Sequence, residues 1–163
     1  MEIIEATEHE IPVIHELSEK IWWPTYRPIL SEAQISFMLK NMYSEGALKE
    51  QMNAGVKFLL VKRESEDVAF AGYSLEHGAN PLLKIHKIYV LPSEQGKGTG
   101  KTLIEHLIQL AKDLRIPGVE LNVNRANPAL GFYQKMGFEI KETVDIPYYE
   151  FVLNDYVMRK VVY

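Results

Sequence analysis

The spacing of apolar residues near the start of the chain predicts a short strand followed by helices. Residues 2–6 alternate weakly between polar and apolar positions, which is typical of a strand. Over residues 9–22, apolar side chains recur every three or four positions, as they do along one face of an amphipathic helix. Pro24 and Pro28 follow, and because proline interrupts helical hydrogen bonding, we expect this helix to break and the chain to bend there.

Two more helices are predicted before the pattern changes. Ser31 is an expected N-cap, and Gln34, three positions later, completes a capping box ahead of the next apolar face. A shorter helix is expected over residues 45–52. Apolar residues then alternate with polar ones and β-formers become dense. This pattern predicts three consecutive strands, over residues 56–61, 68–75 and 82–91.

The second half of the chain predicts an alternation of helices and strands. Glycines at residues 96–100 precede the clearest amphipathic helix, whose apolar face extends from Leu103 to Leu114. We then predict a strand at 119–123, a short helix at 128–136, and closing strands at 138–144 and 149–160. The order β, helices, βββ, α, β, α, ββ predicts an α/β (α+β) fold with a mixed central sheet, antiparallel in its N-terminal half and with a βαβ unit in the middle.

Composition limits the kind of protein that this chain can be. Its 163 residues, 47% hydrophobic and 25% charged, are expected to form a single domain over residues 1–163. The chain has no cysteine and no apolar run near the roughly 20 residues of a membrane span, so we expect a cytoplasmic protein that does not bind membranes. The net charge of −4 argues against nucleic acid and favours a cationic partner.

The glycine-rich segment between a strand and a helix is the first candidate binding site. Gly96, Gly98 and Gly100 let backbone amides approach a ligand closely, and a helix N-terminus attracts anions. Lys97 and Lys101 add positive charge. The alternative is a tight turn in which the glycines serve geometry alone.

Two familiar phosphate motifs do not match this segment. A P-loop requires a glycine five residues before Gly100, where the sequence has Gln95. The dinucleotide pattern of three glycines fails because its third position falls on Lys101 or Leu103. A P-loop phosphotransferase and a dinucleotide-dependent dehydrogenase are therefore disfavoured.

A third pattern matches in two places. Gln95, Gly98 and Gly100 occupy the sequence Gln/Arg-x-x-Gly-x-Gly directly after a strand. A second segment, A-x-x-F-Y-x-K-x-G-F over residues 129–138, follows a further strand. Together the two motifs resemble those of the GNAT N-acetyltransferases, strongly over residues 82–140 and more loosely in the order of all elements.

This resemblance implies the GNAT acyl-CoA N-acyltransferase fold and acetyl-CoA as cosubstrate, with no metal. The pyrophosphate would lie on the glycine loop, and the pantetheine arm would pair with the preceding strand as an added strand. The residues implied to bind the coenzyme are Ile88, Tyr89, Val90, Gln95, Gly96, Lys97, Gly98, Thr99, Gly100, Lys101, Asn127 and Tyr133.

The resemblance also assigns catalytic roles in acyl transfer to an amine. Tyr133 occupies the position of the general acid that protonates the departing thiolate, although it is also placed to pack beside Phe132. The backbone N–H of Ile88 is expected to polarise the thioester carbonyl. His86 is the candidate general base, directly or through a water, with a purely structural role as the alternative.

One position departs from the family's pattern. The asparagine usually found seven residues before the tyrosine is replaced by Ala126, with Asn127 one place later and Asn124 two places earlier. We assign the expected pantetheine contact to Asn127.

The acceptor amine has no motif of its own. Aromatic residues, Trp22, Trp23, Tyr26, Tyr43, Tyr148 and Tyr149, could either surround an ammonium group or pack the helices onto the sheet. Glu32, Glu94 and Asp145 are candidates for recognising a cation. The layout is similar to that of bacterial polyamine acetyltransferases, which favours a small amine, with a peptide amine as the other acceptor class. A homodimer and a non-catalytic acyl-CoA-binding module are left open.

Overall fold

The chain divides into two units, and two strands and one helix contribute residues to both. The computed structural model describes all residues from 1 to 163. The first unit comprises Met1–Ser74 and Lys87–Leu103, and the second comprises Leu75–His86 and Ile104–Tyr163.

The first unit contains the N-terminal helices and an antiparallel group of strands. Its elements are β1 (Glu2–Ala6), α1 (Ile11–Tyr26), α2 (Glu32–Tyr43), α3 (Glu45–Asn53), β2 (Lys57–Arg63), most of β3 (Glu66–Glu76), the end of β4 (Leu82–Val90) and the start of α4 (Thr99–Asp113). β2 pairs antiparallel with both β1 and β3. Short 3-10 turns at Glu8–Glu10 and Pro92–Glu94 were not predicted from the sequence.

The second unit contains the parallel pair and the C-terminal strands. Its remaining elements are β5 (Gly118–Asn124), α5 (Ala129–Lys135), β6 (Glu139–Tyr148) and β7 (Phe151–Val161). β4 runs parallel to β5, and β7 lies antiparallel between β5 and β6. The strand order is β1-β2-β3-β4-β5-β7-β6, which confirms the mixed sheet and the βαβ unit.

The parallel pairing of β4 with β5 is short. It extends from Leu82 opposite Gly118 to Ile85 opposite Leu121. β4 continues for five residues beyond Ile85, and β5 for three beyond Leu121. His86 is the first residue of β4 after this register ends.

The predicted end of the first helix is wrong. α1 continues through Pro24 to Tyr26, although Pro24 cannot donate the usual backbone hydrogen bond. Trp22 and Tyr26 on either side of it are buried, and the Thr25 hydroxyl donates to the Ile21 carbonyl at 2.6 Å. Burial of these two aromatic side chains favours the extra turn strongly enough to outweigh the cost of the proline.

The predicted start of α2 is correct in one of its two contacts. The Ser31 hydroxyl accepts a hydrogen bond from the Gln34 amide at 3.1 Å, which confirms the N-cap. The Gln34 side chain donates to the Met38 sulfur instead of completing a capping box. No helix in the structure is both long enough and apolar enough to cross a bilayer.

Candidate active site

The glycine loop in the first unit adopts a backbone that suits glycine. Gly96 and Gly98 have φ values of +83° and +80°, a region that other residues rarely adopt. No other part of the protein lies within 4 Å of a Cβ placed on either residue. The loop therefore presents open backbone to a ligand.

The loop leads directly into the N-terminus of α4. The first hydrogen bond of this helix runs from the Thr102 amide to the Gly98 carbonyl at 3.0 Å. The amides of Thr99 and Gly100 precede this bond and have no acceptor within the helix. Amides in this position, together with the helix dipole, form an anion-binding site.

A buried carboxylate fixes the start of this loop. Glu94 is only 5% exposed, and it accepts hydrogen bonds from Arg63 Nε at 2.8 Å and the Thr99 hydroxyl at 2.9 Å. Lys97 Nζ lies 3.4 Å from its other oxygen. Burial alone raises the pKa of Glu94, but the hydrogen bonds from Arg63 and Thr99 and the two cationic charges outweigh it and hold the pKa below its ordinary value.

This arrangement corrects the prediction for Glu94. The carboxylate does not face a ligand cation, because Arg63 and Lys97 already neutralise it. It joins the end of β2 to the first residue of α4. Arg63 was not predicted as a site residue, since it precedes Glu94 by 31 positions and belongs to no motif.

The two faces of β4 differ in exposure. Ile85 and Lys87 are buried on one face, whereas His86 on the other is exposed. Alternation places Lys84, His86 and Ile88 on the exposed face, as predicted. Lys84 forms an ion pair with Glu120 at 2.9 Å and donates a hydrogen bond to Asn122 Oδ1 at 2.6 Å.

The buried face of β4 meets the aromatic residues that were candidates for an acceptor cage. Trp22, Tyr26 and Tyr43 are at most 7% exposed. They pack with Phe70 and Tyr89 at centroid distances of 4.4 to 6.3 Å. These five side chains, the aromatic cluster, belong to the protein core, as the packing alternative predicted.

The cation beside the aromatic cluster is the protein's own Lys87. Its Nζ lies 4.5 Å from the centre of the Tyr43 ring, and no carboxylate forms an ion pair with it. Burial lowers the pKa of Lys87 to about 8. The cation that contacts a predicted cage residue, Tyr43, is therefore a side chain of the protein itself, and Lys87 was not singled out from the sequence.

The other aromatic and acidic candidates are spread over both units. Trp23 is half-buried, with Arg27 over its ring at 5.5 Å. Tyr148 and Tyr149 contact each other edge to face, and Tyr149 is 75% exposed. Asp145 forms an ion pair with Arg125 at 2.7 Å. Glu32 is exposed in the first turn of α2.

Tyr133 and Asn127 belong to the second unit, on and just before α5. Tyr133 is 8% exposed, with the rings of Phe132 and Phe138 at 5.4 and 6.1 Å from its own. Asn127 Oδ1 accepts a hydrogen bond from the Ala129 amide at 2.9 Å. This contact orders the first turn of α5 and leaves the amide group of Asn127 as the part that could reach a ligand.

Two surface cavities have volumes of about 390 and 290 Å³ and are lined by residues of the first unit outside the glycine loop. Of the predicted site residues, Trp23 lines the smaller cavity and none lines the larger. No group of three His, Asp or Glu side chains is arranged to hold a metal ion.

The mixed sheet, the glycine loop and the helix N-terminus are the arrangement expected of an acyl-CoA-dependent N-acyltransferase. The sequence profile of the acetyltransferase (GNAT) family matches residues 16–138, so the chain belongs to this family. Over 98% of its length it is 27% identical to the spermidine N(1)-acetyltransferase of Thermoplasma acidophilum, covering 96% of that protein. It is also 36% identical over 84 residues to the peptidyl-lysine N-acetyltransferase YjaB of Salmonella typhimurium, a match that spans half of each chain.

Solved structures agree with this assignment. The PaiA N-acetyltransferase of Thermoplasma acidophilum, in complex with coenzyme A, superimposes with a TM-score of 0.82 at 26% identity, over 98% of both chains. The protein is therefore an acetyl-CoA-dependent N-acetyltransferase that transfers an acetyl group to an amine. The non-catalytic alternative is not favoured.

Replacing Glu94 by Gln should loosen the glycine loop. The amide cannot neutralise Arg63, so we expect acetyl-CoA affinity, measured by calorimetry, to fall roughly 3- to 10-fold as loop order is lost. Because the pKa of Glu94 is lowered, its stabilising effect is present above the ordinary carboxyl pKa of 4.5 and disappears as pH falls below it. The stability difference between wild type and Glu94→Gln should shrink accordingly. Glu139→Gln, an exposed glutamate, is the control, and an unchanged affinity in Glu94→Gln would contradict this role.

Replacing Lys87 by Met should stabilise the protein at neutral pH. Between pH 8 and 10.5 the unfolded chain holds the Lys87 proton more tightly than the folded chain does, so wild-type stability rises with pH across this window. At pH 7 the variant should be more stable by up to roughly 3 kcal/mol, and this advantage should decline toward pH 10.5. Urea unfolding of both proteins at several pH values measures the difference, and a difference independent of pH would contradict the burial of a charged Lys87.

Proposed function

We propose that the segment from Gln95 to Lys101 binds the pyrophosphate of acetyl-CoA. The observation that carries this proposal is the open backbone of Gly96 and Gly98 beside the free amides at the start of α4. The likeness to a structure that contains coenzyme A supports it. Gln95, Lys97, Thr99, Gly100 and Lys101 complete the loop.

The pantetheine arm would extend along β4 by pairing with the backbone of Ile88, Tyr89 and Val90, with a further contact to Asn127. The end of the β4–β5 register at Ile85 supports this, because the β4 backbone then has hydrogen-bonding groups to offer. The whole of residues 1–163 would act as one catalytic domain.

In the proposed reaction the amine attacks the thioester directly within the ternary complex. The acceptor ammonium first loses one proton, to His86 or through water, and becomes nucleophilic. The nitrogen loses a second proton as the amide forms. The bond between nitrogen and the carbonyl carbon forms and the carbon–sulfur bond breaks. The Ile88 amide would stabilise the carbonyl oxygen, and Tyr133 would protonate the thiolate and be reprotonated from the amine's second proton.

For the acceptor we propose a small cationic amine of the polyamine type. The net charge of −4 and the similarity to a spermidine acetyltransferase along nearly the whole chain support this choice. A peptide lysine is the second candidate, because of the partial match to a peptidyl-lysine acetyltransferase. Initial rates of coenzyme A release with spermidine, putrescine and lysine peptides test the choice, and a preference for the peptides would reverse it.

The compartment and assembly are proposals from the sequence. A chain without cysteine gains nothing from an oxidising compartment, and we place it in the cytoplasm. A homodimer stays a prediction, which sedimentation analysis tests.

Replacing Gly98 by Val should weaken acetyl-CoA binding. The new side chain strains a φ of +80° and occupies the open side of the loop. Losing one charge-assisted hydrogen bond to pyrophosphate corresponds to roughly a 10- to 100-fold loss in affinity. Gly55→Val is a matched control, because Gly55 has a φ of +103° and equally open surroundings outside the loop. Equal coenzyme affinities in the two folded variants would overturn the loop assignment.

Replacing Tyr133 by Phe should slow the reaction without weakening coenzyme binding. The ring keeps its contacts with Phe132 and Phe138, and only the hydroxyl is lost. We expect kcat and kcat/KM to fall together by about 10- to 1,000-fold, since the proton is needed as the thiolate departs. Tyr73→Phe, another buried tyrosine, is the control. Wild-type turnover in Tyr133→Phe, with chemistry rate-limiting, would leave Tyr133 a packing residue.

A further inference from the structure

The exposed face of the second unit carries a group of polar side chains. Register pairs Lys84 on β4 with Glu120 on β5, and Glu120 with Arg159 on β7. Paired residues share a face, so alternation also puts His86, Asn122 and Asp155 on it. We call His86, Asn122 and Asp155 the polar row. It begins where the β4–β5 register ends.

This face is the accessible one. His86 and Asn122 are exposed and Asp155 is half-buried. On the opposite face Ile85, Leu121 and Val123 are at most 5% exposed. An acceptor that reaches the end of the β4–β5 register therefore has to approach over the polar row.

The two carboxylates on this face have different surroundings. Glu120 forms ion pairs with Lys84 at 2.9 Å and Arg159 at 2.7 Å. Burial alone raises the pKa of Glu120, but its bonds to these two cations outweigh that effect and lower it. Its charge is already neutralised.

Asp155 has no such partner. Arg125, the cation on the neighbouring loop, pairs with Asp145 and donates to the backbone carbonyl of Asp155 at 3.2 Å. The Asp155 carboxylate forms no ion pair. Burial raises its pKa, against the opposing effects of the neighbouring Asn122 side chain and of Arg125 and Lys84. Asp155 is thus a half-buried carboxylate whose charge lacks a counter-ion.

Asn122 lies between Lys84 and Asp155 on this face. Its oxygen accepts a hydrogen bond from Lys84 Nζ at 2.6 Å, which leaves its amide group as the part that can act on the neighbouring Asp155 carboxylate. Lys84, Asn122 and Asp155 are therefore polar neighbours on three adjacent strands.

We propose that Asp155 binds the non-reacting ammonium group of a diamine or polyamine acceptor. The reacting nitrogen must lose its proton, and a carboxylate beside it would favour the charged form that cannot attack. A second ammonium stays charged throughout and supplies the missing counter-ion. β7 lies two strands from β4, about 10 Å, a distance that suits recognition of the far end of such a chain. This inference rests on the proposed function.

The test compares two acceptors that differ in one group. Putrescine has a second ammonium where aminobutanol has a hydroxyl. In Asp155→Asn we expect KM for putrescine to rise about 10- to 100-fold, the range for a hydrogen bond between charged groups, with kcat nearly unchanged. KM for aminobutanol should change less than about twofold. Asp155→Glu should restore part of the putrescine affinity, and Asp67→Asn, a half-buried aspartate paired with Lys62, is the control.

Each outcome decides between the alternatives. If the wild-type enzyme acetylates aminobutanol as efficiently as putrescine, the inference about Asp155 is overturned and the proposed function stands. The same holds if the wild type acetylates other amines but neither of these two. The inference is also overturned if Asp155→Asn keeps the wild-type preference for putrescine, or if its KM rises equally for putrescine and aminobutanol. Failure of the wild type to acetylate any amine would instead overturn the proposed function.

Discussion

The ion pair and hydrogen bond of the buried Glu94 carboxylate are the interactions on which the glycine loop depends. It connects Arg63 at the end of β2 with Thr99 at the start of α4, on either side of two glycines with positive φ. Glycine gives this loop its shape but also makes it flexible. The ion pair and hydrogen bond compensate for that flexibility, because amides that are ordered in advance bind an anion without a further entropy cost.

The alternation of side chains along β4 separates its buried residues from its exposed ones. One face supplies Ile85 and Lys87 to the core, where Lys87 lies against the aromatic cluster. The other face supplies Lys84 and His86 to the exposed polar surface of the second unit. A buried cation beside the Tyr43 ring discourages a second cation from entering there. Recognition of a cationic acceptor is therefore better suited to the exposed face, where Asp155 carries an unpaired negative charge.

Local patterns explain what could be predicted from the sequence. The spacing of hydrophobic residues located nearly every helix and strand, and the glycine and tyrosine motifs led to the family. Spacing and motifs are both readable because each lies within a few neighbouring residues. Pro24 was misjudged because burial of Trp22 and Tyr26 outweighs a local helix-breaking preference.

The missed site residues depend on contacts between distant positions. Arg63 meets Glu94 across 31 residues, and Asn122 meets Asp155 only through strand pairing. Lys87 looked like an ordinary strand lysine, since nothing next to it in the sequence indicates that the Tyr43 ring of α2 lies against it. The charges around a carboxylate depend on which residues the fold brings next to it. Residue spacing alone therefore could not show that Glu94 and Glu120 have cationic partners and that Asp155 has none.

Ligand-induced stabilisation tests the central claim, that the glycine loop recognises acetyl-CoA, most directly. The unfolding free energy would be compared with no ligand, acetyl-CoA, coenzyme A and ATP. At one hundred times its dissociation constant a specific ligand stabilises by about 2.7 kcal/mol. We expect this effect from acetyl-CoA and coenzyme A and little from ATP. Stabilisation by ATP without any effect of either coenzyme would contradict the account.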